Sequence, residues 1–389
     1  MKTRAVVPAT GLGRLMVVVV VALWLSSRAE GEEKRTVRFP LSKTEVYGYS
    51  ADGKRIYGSL NANGFPVGFF SLDWNTDEGR FMPYDHGSVF LSPNRSCFLI
   101  YSRGFNVYSS ATGQRVCAAR KVCPESLGAC TIDNTGTRLY IDPQAEISCL
   151  SLPDDRKVWS VPYNRKAEGQ LRRLAISEDG KVLLAGFLRE LRLYNAATAV
   201  VLASRQIDHS TGFDYGHVRF DPLGKTFVVT ERGCQRQTAS IRLFDAASLK
   251  ELNRYEYAGA DGWGDGSSSS DLSVIAVDNI TVESNGSKKT TVHVWYPKEG
   301  NVRMWKFDGA VGSFVSPDGR HLLLNAEKGL GELELPNGKK PRWFNDSVEF
   351  PVVPLAGMDD PGQEEQAEKA TQRPAVVKGV VEGSNATPK

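Results

Sequence analysis

The sequence predicts an all-β fold, a seven-bladed β-propeller of four-stranded antiparallel blades, and three observations support it. A turn built on Ser, Asp or Asn and Gly recurs seven times. An apolar run follows each turn, and in most repeats an alternating strand with a polar tail follows that run. The glycine column of the turns lies at positions 53, 95, 136, 180, 224, 272 and 319. Repeats of just over 40 residues that consist of strands are typical of propellers.

The turns join the first strand of each blade to the second. Asp and Asn can hydrogen-bond their own backbone, and Gly adopts a positive φ without steric cost. The sixth turn is degraded because Leu272 stands in the glycine column, where the second turn has Arg95. The seven turns are Ser50–Lys54, Ser92–Ser96, Asp133–Thr137, Ser177–Lys181, Asp221–Lys225, Ser270–Ser273 and Ser316–Arg320.

The run after each turn is nearly all apolar, which predicts a second strand buried on both faces between neighbouring blades. These runs are Arg55–Tyr57, Cys97–Ile100, Arg138–Ile141, Lys181–Ala185, Thr226–Val229 and His321–Leu324. The third strand alternates at period two and ends in a hairpin turn. Its copies are Phe105–Gly113, Leu191–Thr198, Ile241–Ser248 and, more loosely, Val292–Tyr296 and Leu333–Gly338. A fourth strand such as Lys157–Val161 completes each repeat.

The Ser-x-Asp-Gly-Lys turn and the aromatic-Asp/Asn-Ala-Ala-Thr strand end resemble the WD40 and YVTN families of propeller repeats over residues 45–345. The resemblance implies the fold. The Trp-Asp pair of WD40 repeats is replaced by Tyr194-Asn195, Phe244-Asp245 and Trp295-Tyr296, and Gly-His occurs once, at Gly216-His217. The buried hydrogen-bond network of regular WD40 blades is therefore not expected here.

Three regions are predicted: a signal peptide at 1–29, the propeller at 30–355 and a disordered tail at 356–389. Positive charge precedes the apolar stretch Leu15–Leu25, and the small residues Ser27 and Ala29 follow it, so export to the periplasm or the cell exterior is expected. The alternative is a membrane anchor, but eleven residues fall short of the roughly 20 that a spanning helix needs. Between these regions, Thr36–Leu41 and Val348–Val353 are candidate strands, one of which should pair with an outer blade edge.

The charge of the chain is nearly balanced, with 48 Lys and Arg against 45 Asp and Glu. This balance gives no indication of a nucleic-acid partner. Three basic pairs, Lys288-Lys289, Lys339-Lys340 and Arg172-Arg173, are interpreted as solvated strand ends.

The six cysteines are expected in an oxidising compartment. They are Cys97, Cys117, Cys123, Cys130, Cys149 and Cys234. A local disulfide between Cys123 and Cys130 is plausible from their proximity, although the sequence allows 15 pairings. For Cys97 and Cys149 the alternative is a buried strand cysteine.

Enlarged loops of the fifth and sixth blades predict a binding surface on one face of the ring. The loops span 206–217, 231–237, 258–267 and 278–289, and loops on a rigid scaffold are where binding residues collect. Trp263 is the candidate anchor, with polar groups around it. The candidate residues are His209, Asp214, Tyr215, His217, Arg232, Arg236, Asp261, Trp263 and Asp265. The alternative is that these loops are tolerated insertions, since lengthening a loop costs little free energy.

The sequence favours a non-catalytic, monomeric, exported propeller that acts as a scaffold and binds another protein. No catalytic residue, metal site or cofactor is predicted, because the inner strands offer only Glu45 and His217 as ligands beside their arginines. Neither a nucleic-acid partner nor a membrane span after signal cleavage is expected. The alternatives are a purely structural role, or an exported propeller enzyme, a hydrolase or a quinoprotein-like oxidoreductase, with its site at the central channel.

Overall fold

The computed structural model describes residues 36–352 apart from short gaps, and the predicted signal peptide and tail lie outside these residues. The gaps are 41–43, 63–64, 74–75, 77, 85–86, 102–103, 120–128, 144, 208–212, 234–237, 259–261, 264–265, 339 and 345–346. The chain consists of two compact units, Met1–Thr36 and Val37–Lys389, and the blades described below belong to the second. None of the described segments is a helix of the length and apolarity needed to cross a bilayer.

The described chain forms seven antiparallel sheets in sequence order, and an eighth, two-stranded sheet joins its ends. Blade one contains β2 (Thr44–Tyr49), β3 (Arg55–Ala62), β4 (Phe65–Asp73) and β5 (Glu78–Pro83). Blade two contains β6 (Ser88–Leu91), β7 (Cys97–Tyr101), β8 (Phe105–Ser109) and β9 (Arg115–Ala119). Blade three contains β10 (Cys130–Ile132), β11 (Arg138–Ile141), β12 (Glu146–Ser151) and β13 (Arg156–Pro162). Blade four contains β14 (Leu171–Ile176), β15 (Val182–Phe187), β16 (Glu190–Asn195) and β17 (Val201–Gln206).

The remaining blades follow the same order. Blade five contains β18 (Phe213–Phe220), β19 (Thr226–Gly233), β20 (Thr238–Asp245) and β21 (Glu251–Ala258). Blade six has a broken inner strand, β22 (Gly262–Trp263) and β23 (Ser267–Ser268), then β24 (Ile275–Val282), β25 (Lys288–Tyr296) and β26 (Asn301–Asp308). Blade seven contains β27 (Val311–Val315), β28 (His321–Ala326), β29 (Gly329–Glu334) and β30 (Arg342–Trp343). The predicted seven-bladed propeller of four-stranded antiparallel blades is confirmed.

The turns between the first and second strands, here called the A–B turns, have the predicted chemistry. In blade four, Ser177 Oγ donates to Asp179 Oδ1 at 2.7 Å, and the same oxygen accepts the Lys181 N–H at 3.1 Å. Ser50, Ser269 and Ser316 make the same hydrogen bond to the aspartate two residues later. All seven glycine-column residues have positive φ, including Arg95 at 58° and Leu272 at 56°. The sixth turn is therefore intact in geometry and differs only by its leucine.

A cluster of buried apolar side chains fills each of the seven interfaces between neighbouring blades, so the ring is closed by packing. The cluster between blades four and five includes Leu184, Leu193, Phe220 and Phe227. The six other clusters lie between the remaining neighbours. Blade seven meets blade one in a cluster that contains Val46 of β2 and Leu323 of β28.

The first and the last described strands lie at the outer edge of blade one. β1 (Thr36–Pro40) pairs with β31 (Ser347–Pro351), and Val352 makes a parallel bridge to Phe81 in β5. Phe350 is fully buried on this edge, and its ring lies against Gly79, where a Cβ would approach within 2.4 Å. The C-terminal candidate strand thus pairs with an outer blade edge.

Candidate functional site

Blades five and six extend further than their neighbours on the face opposite the A–B turns. Counted from the glycine column, β19 and β24 continue to Gly233 and Val282, two to three residues beyond the ends of β15 and β28. At about 3.3 Å per residue this adds roughly 7–10 Å. On the face opposite the A–B turns, the ends of β18–β21 and β24–β26 form one surface together with β22 and the β24–β25 hairpin. It is called the raised surface below. The predicted loops of these blades are therefore in part extensions of strands.

Several predicted binding residues lie on strands of this raised surface. Trp263 is on β22, paired with Asn279 of β24. Asp214 and Arg232 are paired with each other across β18 and β19. His209, Arg236, Asp261 and Asp265 lie outside the described residues, so their grouping stays a prediction.

Tyr215 lies in the interface between blades four and five rather than on the face. Only 4% of it is exposed, and its hydroxyl donates to the Phe187 carbonyl at 2.8 Å. Burial raises the pKa of this phenol far above its usual range. The sequence placed it in a loop, but β18 begins at Phe213, so position 215 is inside the sheet. Tyr215 therefore supports the raised surface by packing.

A buried charge network lies in the middle of blade five, below the raised surface. Glu231 is fully buried, and each of its carboxylate oxygens lies 3.2 Å from Arg242 Nη1, which donates to them. The carboxylate also accepts a hydrogen bond from Ser240 Oγ at 3.1 Å. Arg242 also donates to Glu251 Oε2, from Nε at 2.9 Å and from Nη2 at 2.5 Å. Breaking such a pair would leave an uncompensated charge in the interior. The network therefore holds the three strands β19, β20 and β21 in register.

His217 faces the central channel from the inner strand of blade five. Its Nε2 lies 3.1 Å from Ser268 Oγ of blade six, and its backbone N–H donates to Thr230 Oγ1 at 2.6 Å. Burial lowers the pKa of His217 well below its usual value, and the charges of Arg219, Arg173 and Arg95 lower it further. The imidazole is therefore neutral at physiological pH.

Arg219 joins three blades at the channel. Its Nη1 donates to the Ser268 carbonyl at 3.1 Å, and its Nη2 is 3.3 Å from both Ser270 Oγ and Glu178 Oε1. Ser268 and Ser270 belong to blade six, and Glu178 lies on the A–B turn of blade four. Burial lowers the pKa of Arg219, and the Glu178 carboxylate partly offsets this. The guanidinium therefore lies at the end of the channel that the A–B turns surround.

Arg95 approaches the same end of the channel from blade two. It donates from Nη1 to the Tyr49 carbonyl of blade one, and its guanidinium lies against Gly48, where a Cβ would come within 2.8 Å. Burial, and then the charge of Arg219, lower the pKa of Arg95 to about 9. Blades two and five are on opposite sides of a seven-membered ring, so these two arginines can influence each other only across the channel.

The interpretation of Arg172-Arg173 as a solvated strand end is wrong. Both residues lie on the inner strand β14, at a bulge between Leu171 and Arg173, and both are only partly exposed. Arg173 is within electrostatic range of His217, the residue at the equivalent position in blade five. Sequence reasoning discounted these arginines, although Arg95 in a column otherwise reserved for Gly or Leu was a signal that could have identified the site.

Cys130 is a free thiol in this structure, and burial strongly raises its pKa. Its predicted partner Cys123 lies outside the described residues, so a disulfide between them stays a prediction for the oxidised protein. Cys97 and Cys149 are buried strand cysteines, as the alternative interpretation had it.

The propeller is similar to several solved structures. KlHsv2 with loop 6CD replaced by a Gly-Ser linker is 12% identical at a TM-score of 0.54, over 79% of this chain and 96% of that one. Oligogalacturonate lyase in complex with manganese is 13% identical at 0.52, over 78% and 99%. Hydrazine synthase of Kuenenia stuttgartiensis is 17% identical at 0.48, over 64% and 76%. At such identities the likeness shows the fold. No protein-family profile and no curated protein matches the chain.

Proposed function

We propose that this chain is an exported, non-catalytic propeller that binds another protein through the raised surface of blades five and six. The observation that supports this proposal is the shared extension of two adjacent blades, with Trp263 paired to Asn279 directly before the extended part of β24. Tryptophan is a residue type often found at the centre of protein interfaces. The protein acts as a monomeric scaffold.

The raised surface is ordered before any partner arrives. Asn279 Nδ2 donates to the Ala258 carbonyl at 3.0 Å and so ties the extension of blade six to that of blade five. In the exposed β24–β25 hairpin, Glu283 accepts from Ser287 Oγ at 2.8 Å and pairs with Lys289 Nζ at 2.6 Å. A platform fixed in this way loses little conformational entropy on binding, which favours affinity.

We further propose that the repeats are related to the WD40/YVTN-like propellers. Five of the seven A–B turns have the Ser-to-Asp or Ser-to-Asn hydrogen bond that the shared turn motif suggests. The Trp-Asp network of regular WD40 blades has no equivalent at Tyr194, whose hydroxyl instead accepts from Arg192 Nη1 at 3.1 Å. The chain is on this proposal a divergent relative.

Capture experiments on the exported fraction test the proposed surface. The mature protein and its Trp263→Ala/Asp265→Ala variant are used as bait, and captured proteins are identified by mass spectrometry. Leu223→Ser is the matched control, because Leu223 is 70% exposed on an A–B turn of blade five, on the opposite face. We expect the double variant to lose a protein that the wild type and the control retain.

A photo-crosslinking residue at position 285 of the hairpin provides a second measurement, with position 223 as its control. Crosslinks of the same captured protein to position 285 and not to position 223 place it on the raised surface. An unchanged set of captured proteins for the double variant, together with crosslinks at position 223 alone, would remove this surface from consideration.

A further inference from the structure

The channel cluster, defined as Arg95, Arg173, Arg219 and His217, has more positive charge than its surroundings neutralise. Glu178 is the one carboxylate among the described residues that contacts any of its arginines. His217 is neutral, so three guanidinium groups face one carboxylate, which leaves an excess of two positive charges. A channel lined by charge of one sign between low-dielectric walls concentrates ions of the opposite sign.

Donor groups in and beside the cluster have no acceptor among the described residues. Arg219 Nε is buried without a hydrogen-bond partner, although both of its terminal nitrogens are engaged. The buried Nε of the adjacent Arg172 is also unpartnered. Buried polar groups are almost always satisfied in folded proteins, so the unpaired Nε of Arg219 is suited to an acceptor that is supplied from outside.

Arg95 is held in a backbone conformation that suits glycine. Its φ of 58° lies in the left-handed region, which five of the seven equivalent turns occupy with Gly. The other exception, Leu272, is buried in the interface of blades five and six, so its side chain accounts for its presence by packing. A charged residue kept at a strained position is more often found at a functional site.

The geometry limits the class of ligand. Guanidinium groups approach from blades two, four and five, and guanidinium donors form charge-assisted hydrogen bonds to oxygen atoms. Arg219 would contribute its unpartnered Nε, because both of its terminal nitrogens are engaged within the protein. An acceptor reached from three sides needs more oxygen atoms than one carboxylate has, and the excess charge matches a dianion. Ser268 and Ser270 add hydroxyl groups next to Arg219. A tetrahedral oxyanion meets all of these conditions.

We propose that the channel cluster binds a phosphate-sized, doubly charged oxyanion between Arg95, Arg173 and Arg219. The ligand is inorganic phosphate or the phosphoryl group of a small soluble compound, since both present the same oxygen atoms. The site lies in the channel between the A–B turns, which carry Arg95 and Glu178, and the part of β14 where Arg173 pairs with Gly186. It is a different site from the raised surface of blades five and six.

Isothermal titration of the purified protein with inorganic phosphate tests this proposal. The titration is run at about pH 8, where phosphate is mainly a dianion, and at constant ionic strength in chloride. Phenyl phosphate is titrated in parallel, because a site open to the channel binds both compounds and a closed one binds phosphate alone. We expect one phosphate per chain and an affinity that falls with salt.

Three variants separate a binding role from a structural one. Arg173→Gln removes a charge without removing a side-chain hydrogen bond to any of the described residues, and we expect it to weaken phosphate binding about tenfold or more. Arg95→Gly places glycine where φ is positive, so it should weaken binding to a similar extent while the melting temperature is maintained. Arg156→Gln removes the same charge from the exposed outer strand β13 and should bind as the wild type does.

Two results would overturn the proposal. One is the absence of phosphate binding to the folded wild-type protein at millimolar concentrations. The other is equal affinity in the wild type, Arg173→Gln and Arg156→Gln, which would assign the binding to general surface charge.

Discussion

Residues of the glycine column close the A–B turns, and two of them also contribute a side chain to the structure. The positive φ values of this column close the turns, and at Arg95 and Leu272 a side chain is kept in spite of the strain. A left-handed residue other than Gly costs about 1–2 kcal/mol. Leu272 offsets that cost by burial, and Arg95 by its contact with blade one and its position in the channel.

The lowered pKa of the buried His217 predicts that the folded protein loses stability in mild acid. The native pKa of this histidine is lowered, so above its ordinary value of 6.5 both the folded and the unfolded chain are neutral at this residue. Below that value His217 is protonated in the unfolded chain but stays neutral in the folded chain. The free energy of unfolding therefore decreases as the pH falls. The slope is at most about 1.4 kcal/mol per pH unit for each such histidine.

Urea unfolding of the wild type and His217→Gln between about pH 7 and pH 5 measures this effect. The variant should show a shallower decline, but some decline should remain, because burial also lowers the pKa of His293. The turn carboxylates do not interfere, since the lowered pKa of groups such as Asp179 places their loss below 3.8. Equal slopes in the two proteins would contradict the lowered pKa.

One recurring hydrogen bond joins the outer strand of five blades to the blade that follows. The donor is a side chain on the fourth strand, and the acceptor is a carbonyl in the turn between the third and fourth strands of the following blade. Examples are Arg80 to Ala111 at 2.6 Å, Trp159 to Ala196 at 3.1 Å and Arg205 to Leu249 at 2.8 Å. Asn253 and Trp305 do the same in blades five and six. Trp159 and Trp305 thus join neighbouring blades.

Trp159→Phe should destabilise the protein by about 0.5–1.5 kcal/mol, because the indole N–H bond is lost while most of the ring packing remains. The free energy of unfolding from urea titration measures the change. Val200→Ala in the following turn, which is 59% exposed, is a control that should lie within about 0.5 kcal/mol of the wild type. An equal loss in both variants would show that this hydrogen bond contributes nothing specific.

The turns and strands of this fold could be predicted from the sequence, but the residues that ring closure brings together could not. The turns and buried second strands follow from hydrogen bonding and periodicity within a few residues, so Ser177–Lys181 and β15 were recognised in the sequence. Arg95 and Arg219 come within electrostatic range of each other only because the ring closes, and spacing along the chain does not indicate which arginines then share the channel. Tyr215 was misplaced for a related reason, since the extra length of β18 depends on its pairing with β19.

Among the described strands, no four-stranded blade combines an N-terminal with a C-terminal strand. Blade one is built from N-terminal strands alone and blade seven from later ones, so their junction depends on side-chain packing and on Asn325 Nδ2, which donates to the Thr44 carbonyl at 3.1 Å. β31 adds a cover over the outer strand of blade one. Such a junction is more sensitive to loss of apolar contacts than one completed by strand pairing.

Phe350→Ala should cost about 3–5 kcal/mol, because it leaves a cavity against Gly79 and Phe70 beside the junction. Urea unfolding measures the loss. Val282→Ala, at an exposed site on the raised surface, is the control and should change little. A loss for Phe350→Ala no larger than that of the control would mean that β31 is dispensable for the propeller.

The pairing of β1 with β31 also fixes where the molecule can be held. Both strands meet beside β5, at the outer circumference of blade one. An affinity tag, a fusion partner or a surface linker attached through either strand would hold the protein at the outer edge of blade one. Both flat sides and the axial opening would then stay accessible, so immobilised protein can be used for capture and for ion titration alike.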